Sequence, residues 1–245
     1  MPDAVICGYA RTPFGRFRGA LSSYSAVELG IRAVEELLRR TGIDPSGGEI
    51  DQVYMGQVLQ AGAGQAPARQ VALGCGMPNS TSCTTINKVC GSSLKAVMIA
   101  ASEIRAGVSE LVVAGGMESM SNAPRFIREA RRGEDVPFKS LLSILSHDGL
   151  TDAFSGELMG NTGETRALEY GISREESDAY SLRSHKLSAK GWENGGIEKE
   201  CVSMEELSID EGIRQDADMS TLTSLKPVFS AVSYTHLTLP TKPSV

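Results

Sequence analysis

The chain is short of aromatic residues, which make up 5% of its 245 positions with a single Trp. Glycine, by contrast, occurs 26 times. That balance favours tight turns and close backbone approach over a bulky core. No apolar run reaches the roughly 18 residues that a membrane helix needs, and no basic-then-apolar signal pattern opens the chain. The five cysteines, Cys7, Cys75, Cys83, Cys90 and Cys201, are odd in number and lack paired metal-ligand spacing. Disulfide and zinc frameworks are therefore not expected, and a reducing cytoplasm fits best. Basic charge is also in deficit: the net charge of −6 argues against a nucleic-acid surface. There is no internal repeat and no low-complexity tract. The length suits one large domain or two small ones.

What is present is a set of well-punctuated elements. Residues 4–7 read as a short buried strand. Ser25-Ala26-Val27-Glu28 is a capping box, with Ser at the cap and Glu at N3. Val27, Ile31, Val34, Leu37 and Leu38 then share one helical face, Arg39 and Arg40 close the last turn, and Gly42 lies just beyond. Residues 53–59 read as a strand, followed by a turn with Gly62 and Gly64 and a short helix over 68–73 opened by Pro67. Residues 81–89 are extended, and 111–114 form a short apolar strand before Gly115-Gly116. Alternating strands and helices with short, fully apolar strands point to an α/β sheet buried on both faces. Residues 117–172 are loop-like, with a basic run at Arg125, Arg128, Arg131 and Arg132. Such a run is either a solvated face or a phosphate-attracting patch. Ser173-Arg174-Glu175-Glu176 is a second capping box and starts a helix to about Lys190.

One stretch carries chemistry. After the extended run 81–89 comes Cys90, and Gly91, Ser92 and Ser93 then open a helix whose Leu94, Val97, Met98, Ala101 and Ile104 recur at helical spacing. Gly107 is placed to end it. Cys90 thus sits at a strand-to-helix turn, at the positive end of a helix dipole, where a thiolate is stabilised and a thiol becomes a competent nucleophile. The competing reading is a buried cysteine acting as a small hydrophobe. His147, His185 and His236 have no spacing that ties them to Cys90, and no role is assigned to them.

Asn87-Lys88-Val89-Cys90-Gly91-Ser92-Ser93 closely resembles the nucleophile motif of the thiolases. The likeness extends to Gly8-Tyr9-Ala10-Arg11-Thr12-Pro13-Phe14-Gly15, Gly64-Gln65-Ala66-Pro67-Ala68-Arg69-Gln70 and Ala114-Gly115-Gly116-Met117-Glu118-Ser119-Met120-Ser121. It continues in Met159-Gly160-Asn161-Thr162-Gly163-Glu164-Thr165 and Leu225-Lys226-Pro227-Val228-Phe229, covering roughly residues 2–231. The resemblance implies a thiolase-like α/β fold. The chain would supply the N-terminal βαβαβαββ half over 1–231, with a loop domain inserted at about 117–225, and the C-terminal half would be absent. It also implies an acyltransferase that joins acetyl-CoA to an acyl-CoA through an acyl-cysteine, with Cys90 as nucleophile and its backbone N–H as an oxyanion donor. Leu150, Met159 and Arg214 would line the coenzyme A channel. Where many biosynthetic relatives carry histidine, this chain has Leu158. Short-chain acetoacetyl-CoA chemistry and medium- or long-chain 3-ketoacyl cleavage both remain open.

The resemblance further implies no permanently bound cofactor and no metal, coenzyme A thioesters as substrates, and a homodimer or homotetramer at full length. No nucleic-acid or membrane partner is expected. The family's remaining catalytic strings, Asn-Glu-Ala-Phe, Gly-His-Pro and Cys-x-Gly-Gly-Gly, do not occur here, nor does Ala-Gly-Asn-Ala-Ser-Gly. Residues 232–245 bear no likeness to the family and read as a frameshift, fusion scar or vector sequence. Two other functional classes stay in view: a non-catalytic fragment that binds coenzyme A, and a condensing enzyme of the ketoacyl-synthase type.

Overall fold

A computed structural model describes residues 3–128, 133, 135 and 137–229. They fall into two compact units. The first takes in residues up to 12, 22–149 and 202–204; the second takes in 13–21, 150–201 and the chain from 205 onward. Residues 117–149, which the sequence reading grouped with the loop domain, belong to the first unit. Arg131, Arg132, His236 and the expected foreign tail 232–245 lie outside the described residues.

The first unit is built on a parallel three-stranded sheet in the order β2–β1–β3, with β1 at Gln52–Gly56, β2 at Ser82–Ile86 and β3 at Val112–Gly116. The registers align Gly56 with Ile86 on one side and with Gly116 on the other. The central strand is buried on both faces from Val53 to Gly56, as its unbroken apolar character requires. Alternation along it separates two cores. Val53, Met55 and Val113 face helices α1 (Ala26–Thr41) and α2 (Pro67–Gly74), meeting Val34, Leu38, Val71 and Ala72. Tyr54, with Val112 and Ala114 beside it, faces helix α3 (Ser92–Ala106), meeting Ala96 and Ala100.

Local signals set the helix ends. Ser25 Oγ accepts the Glu28 N–H while Glu28 accepts the Ser25 N–H, and Gly42 closes α1 in the left-handed region. Pro67 opens α2, and the Ala68 N–H finds the Thr85 hydroxyl at 2.9 Å. Gly107 closes α3 at φ 71°, as its sequence position predicts. Strand β1 stops earlier than the predicted residue 59, because the Val58 and Leu59 N–H groups turn away to the Glu118 carboxylate.

The expected strand over residues 4–7 does not form. Val5 and Ile6 are 71% and 81% exposed, and no sheet partner pairs with this segment among the described residues. The apolar side chains are there, but nothing covers them, and an uncovered strand gains no burial to offset its ordering. A short antiparallel ribbon, β4 (Arg125–Phe126) with β5 (Leu142–Ser143), and a π-helix at Leu145–Leu150 occupy the region read as loop.

The second unit holds helices α4 (Met159–Glu169), α5 (Arg174–Glu193) and α6 (Met219–Ser224). Helix α5 starts at the predicted capping box, with Ser173 and Glu176 paired reciprocally. Arg174 locks it to α6: its Nε donates to the buried Asp178 carboxylate at 2.9 Å, and its Nη2 reaches the Leu222 and Leu225 carbonyls. Segment 13–21 is fastened by two carboxylates. Asp210 accepts the Phe14 N–H at 2.8 Å and Glu211 accepts the Arg16 N–H at 2.7 Å, while Trp192 Nε1 donates to Asp210.

Candidate active site

The carboxyl ends of the three strands converge on one place, where open parallel sheets bind their ligands. Strand β2 ends at Ile86, and four residues later Cys90 lies exposed just before the Gly91 N-cap of α3. No side chain caps this helix start, so its positive end stays open to an incoming anionic group. The buried-hydrophobe reading of Cys90 is excluded by its exposure; Cys75 and Cys201 are the buried cysteines, and none of the five is disulfide-bonded.

The turn that presents Cys90 is tightly specified. Gly91 N–H donates to the Lys88 carbonyl at 3.1 Å, and Ser92 N–H to the Val89 carbonyl at 3.1 Å. Val89 adopts φ 48°, a left-handed backbone that a β-branched residue strongly resists. Such a conformation costs about 1–3 kcal/mol and persists only where neighbours over-determine it. Here the neighbours are Asn87, whose Oδ1 accepts the Val89 N–H at 3.0 Å, and Ser92, whose hydroxyl accepts from Lys88 N–H and donates to the Val89 carbonyl.

Two glycines let the helix start come this close to the strands. A Cβ on Gly56 would lie 2.6 Å from the Ser93 amide nitrogen, and one on Gly116 would lie 2.6 Å from Ser93 Cβ. Close approach also explains an inversion on α3. Its inward face is the small-residue row Ser92, Ala96 and Ala100, while Leu94 and Met98, part of the apolar series in the sequence, are 66% and 52% exposed. Bulky side chains do not fit between a helix and strands held at glycine contact, so they point outward.

Glu118 completes the frame. Its half-buried carboxylate accepts the Val58 N–H at 2.8 Å and the Leu59 N–H at 3.3 Å. Burial pushes its pKa up, and the two N–H bonds pull the other way. Asn87 Nδ2 reaches the Val58 carbonyl, so the braced loop after β1 touches the nucleophile turn. Sequence reasoning found Cys90 and noted Gly116 and Glu118 without a role for them, and it missed Gly56 inside the 53–59 strand. The available signal was a glycine at the carboxyl end of two neighbouring strands.

Leu150, Met159 and Arg214 all belong to the second unit, and Cys90 belongs to the first. Leu150 and Met159 flank the Thr151–Leu158 bridge, so they stand at the two ends of one tight loop. That loop is closed by Asp152, whose N–H donates to the Glu157 carbonyl and whose carboxylate accepts from Phe154, Ser155 and the Ser155 hydroxyl. The Ser155 bonds hold the Asp152 pKa below the ordinary carboxylate range. Gly160 makes room for the Phe229 ring, where a Cβ would come within 2.1 Å of it, so two of the family-like strings meet beside Met159. Arg214 is exposed, and its N–H donates to His185 Nδ1 at 3.3 Å.

The two described members of the basic run make separate local contacts. Arg125 lies over the Phe138 ring, and Arg128 contacts His147 Nε2 at 2.9 Å, with Asp148 on the other ring nitrogen. Among the described residues no three His, Cys, Asp or Glu side chains are grouped to hold a metal ion, and no helix is long and apolar enough to cross a membrane.

Comparison with known proteins follows the same residues. The family model "Thiolase, N-terminal domain" matches residues 4–236, ending inside the 232–245 segment. The chain is 45% identical over 240 residues to the "Probable acetyl-CoA acetyltransferase" of Escherichia coli (strain K12), covering 95% of this chain and 61% of that protein. It is 43% identical over 237 residues to the "Acetyl-CoA acetyltransferase 2" of Arabidopsis thaliana, covering 93% and 58%. The crystal structure of the Acat5 thiolase from Ascaris suum in complex with coenzyme A superposes with a TM-score of 0.86 at 36% identity, over 95% of this chain and 60% of that one. The chain therefore spans about three fifths of the length of these relatives. With the nucleophile turn, the parallel sheet and the loop-helix strings all matched, the chain belongs to the thiolase family.

Proposed function

We propose that this chain carries the acyl-accepting part of a thiolase-type acyltransferase, acting on acetyl-CoA and forming or cleaving acetoacetyl-CoA. The observation that carries the reading is the exposed Cys90 on a strained turn where the carboxyl ends of the sheet meet the start of α3. The Cys90 thiolate attacks the thioester carbonyl of acetyl-CoA. The carbon–sulfur bond to coenzyme A breaks, and coenzyme A leaves as the thiol after taking a proton. A second acetyl-CoA, deprotonated at its methyl group, then attacks the acyl-cysteine; its new carbon–carbon bond expels the Cys90 thiolate and yields the 3-ketoacyl-CoA. Covalent capture divides one difficult condensation into two easier steps, and donors fixed around the developing oxyanion lower both barriers.

In this reading Leu150, Met159 and Arg214 contact the coenzyme A moiety. The groups that move protons to and from Cys90 and the substrate methyl belong to the part of the relatives that this chain does not span. That assignment is supported by the coverage of about three fifths and by the uncovered apolar face of α3. The assembled protein is a homodimer or homotetramer, checked by its mass in solution.

The test is to incubate the chain with radiolabelled acetyl-CoA and map the label by peptide mass. Acetyl on Cys90, absent from Cys90→Ser and not shared by Cys7, which is also exposed, is the expected result. Soluble, folded protein that takes no label even with the remaining two fifths of a relative supplied in trans, or that labels Cys7 as fast, overturns it. Competition between acetyl-CoA and octanoyl-CoA for Cys90 decides chain length: preference for octanoyl would move the assignment to medium- and long-chain 3-ketoacyl-CoA.

A further inference from the structure

We infer that the Ser92 hydroxyl is a positioning latch for Cys90, holding Val89 in its left-handed conformation so that the thiol is presented at the head of α3. Three observations meet on this side chain. Ser92 is 4% exposed, although its neighbours Cys90 and Ser93 face solvent. Its Oγ makes two bonds that bracket the strained residue: it accepts the Lys88 N–H at 2.8 Å before Val89 and donates to the Val89 carbonyl at 2.6 Å. The residue between those bonds has φ 48° and is β-branched. Primed turns put positive φ at this position and ordinarily take glycine, asparagine or aspartate there. Valine is held in that conformation by its own carbonyl and the Lys88 N–H, both tied to the one hydroxyl, and by its N–H, tied to Asn87 Oδ1.

The latch has a fixed base. Gly56 admits the Ser92 and Ser93 backbone to within 2.6–2.7 Å of where its own Cβ would be, so the start of α3 cannot slide along the strand ends. A hydroxyl on that anchored turn therefore sets the preceding three residues, and Cys90 lies between Val89 and the anchor. Without the hydroxyl, Val89 relaxes toward the extended backbone that β-branched residues prefer, and Cys90 swings off the helix head. The catalytic meaning of the latch rests on the acyl-cysteine reading of Cys90; its physical operation does not.

The experiment measures the rate of Cys90 alkylation by iodoacetamide in the 245-residue chain, resolved by peptide mass, with exposed Cys7 as an internal reference. Ser92→Ala is expected to lower the Cys90-to-Cys7 rate ratio about tenfold, the combined scale of the two neutral hydrogen bonds that it removes. In a Val89→Gly background, where positive φ carries no penalty, the same Ser92→Ala change is expected to lower the ratio less than twofold. A single Ser92→Ala variant with an unchanged ratio overturns the latch. So does an equal loss in both backgrounds, which would make Ser92 a general packing residue. If Ser92→Ala aggregates, Asn87→Ala removes the other support of Val89 from the exposed side. It is expected to lower the ratio about threefold, and no change overturns the inference. Alkylation needs no acyl-CoA. A Cys90 that alkylates in this pattern yet takes no acetyl group, even with the remaining two fifths of a relative supplied in trans, removes the acyltransferase and keeps the latch, and acetylation of Cys90 with no Ser92 dependence does the reverse.

Discussion

The two faces of the β2–β1–β3 sheet are finished to different degrees. On one, α1 and α2 enclose Val53, Met55 and Val113 together with Met77 and Met117, and further partly buried side chains seal the rim. On the other, α3 lies alone: Tyr54, Ala96 and Ala100 form its small core, and the helix turns Leu94 and Met98 to solvent. The first face is a self-sufficient two-layer core. The second is half of one, and it is the face that bears Cys90. Chemistry is thus placed where packing is least complete, so the nucleophile turn depends on polar ties, such as the Ser92 and Asn87 bonds, more than on buried area.

The largest expected effect comes from breaking the finished face. Val53→Asp would bury an uncompensated carboxylate at a fully buried position of the central strand. It should cost about 4 kcal/mol or more. Urea denaturation should show the variant unfolded or melting from a largely open state, with the Cys90-to-Cys7 alkylation ratio falling to about one as the fold is lost.

Next comes the contact between the sheet and α3. Gly56→Ala places a methyl within 2.6–2.7 Å of Ser92 and Ser93 backbone atoms, which cannot swing aside as a flexible side chain would. Overpacking of this kind costs about 1–3 kcal/mol. The informative readout is again the Cys90-to-Cys7 alkylation ratio, because displacement of the helix start moves Cys90 and leaves Cys7 alone. A fall in stability with an unchanged ratio would mean that the turn is carried by its own hydrogen bonds and not by its seat on the strand.

Smaller and opposite effects are expected from two glutamates. On α1, hydrogen bonds from Arg39 and then Arg40 hold the Glu36 carboxyl down at about 2, against an ordinary 4.5. The folded state binds this proton less readily than the unfolded state, so its contribution is present above about pH 4.5 and is lost as the pH falls toward about 2. Glu118 runs the other way: burial raises its pKa, so folding favours the protonated form. Stability then declines as the pH rises from 4.5 through the raised value. In urea midpoints measured from about pH 3 to about pH 7, Glu36→Gln should flatten the acid limb and Glu118→Gln the limb above it. Equal slopes in both variants would remove the distinction.

How much of this was legible beforehand follows the same division. Both capping boxes, Pro67 at the start of α2 and Gly107 at the end of α3 are local devices that act within a few residues, and they are found where the sequence puts them. Cys90 is legible for the same reason, as a cysteine between an extended run and a glycine-serine helix opening. The failures are non-local. Residues 4–7 have strand composition, but a strand exists only with a partner. The series Leu94, Val97, Met98 marks a helix correctly and gives no sign of which face turns inward. That is settled by Gly56 and Gly116, far away in the chain. The role of Ser92 is hidden because it depends on the φ angle of Val89, which composition does not report.

The smallest expected effect sharpens the contrast most. Leu94→Lys on the open face removes an apolar side chain that is already 66% in water, so the change in stability of this chain should stay within about 0.5 kcal/mol. An equivalent change at Val53 would be ruinous, although both positions are apolar. If the remaining two fifths found in the relatives covers α3, the same Leu94→Lys should become costly when that segment is supplied in trans, by about 2 kcal/mol or more for a lysine forced under apolar cover. Titrating the wild-type and variant chains with such a segment, and following Leu94-side protection by hydrogen exchange, separates the two cases. A variant that binds as tightly as wild type would mean that the exposed row of α3 faces solvent in the whole protein. In that event its apolar character would need another explanation than an absent layer.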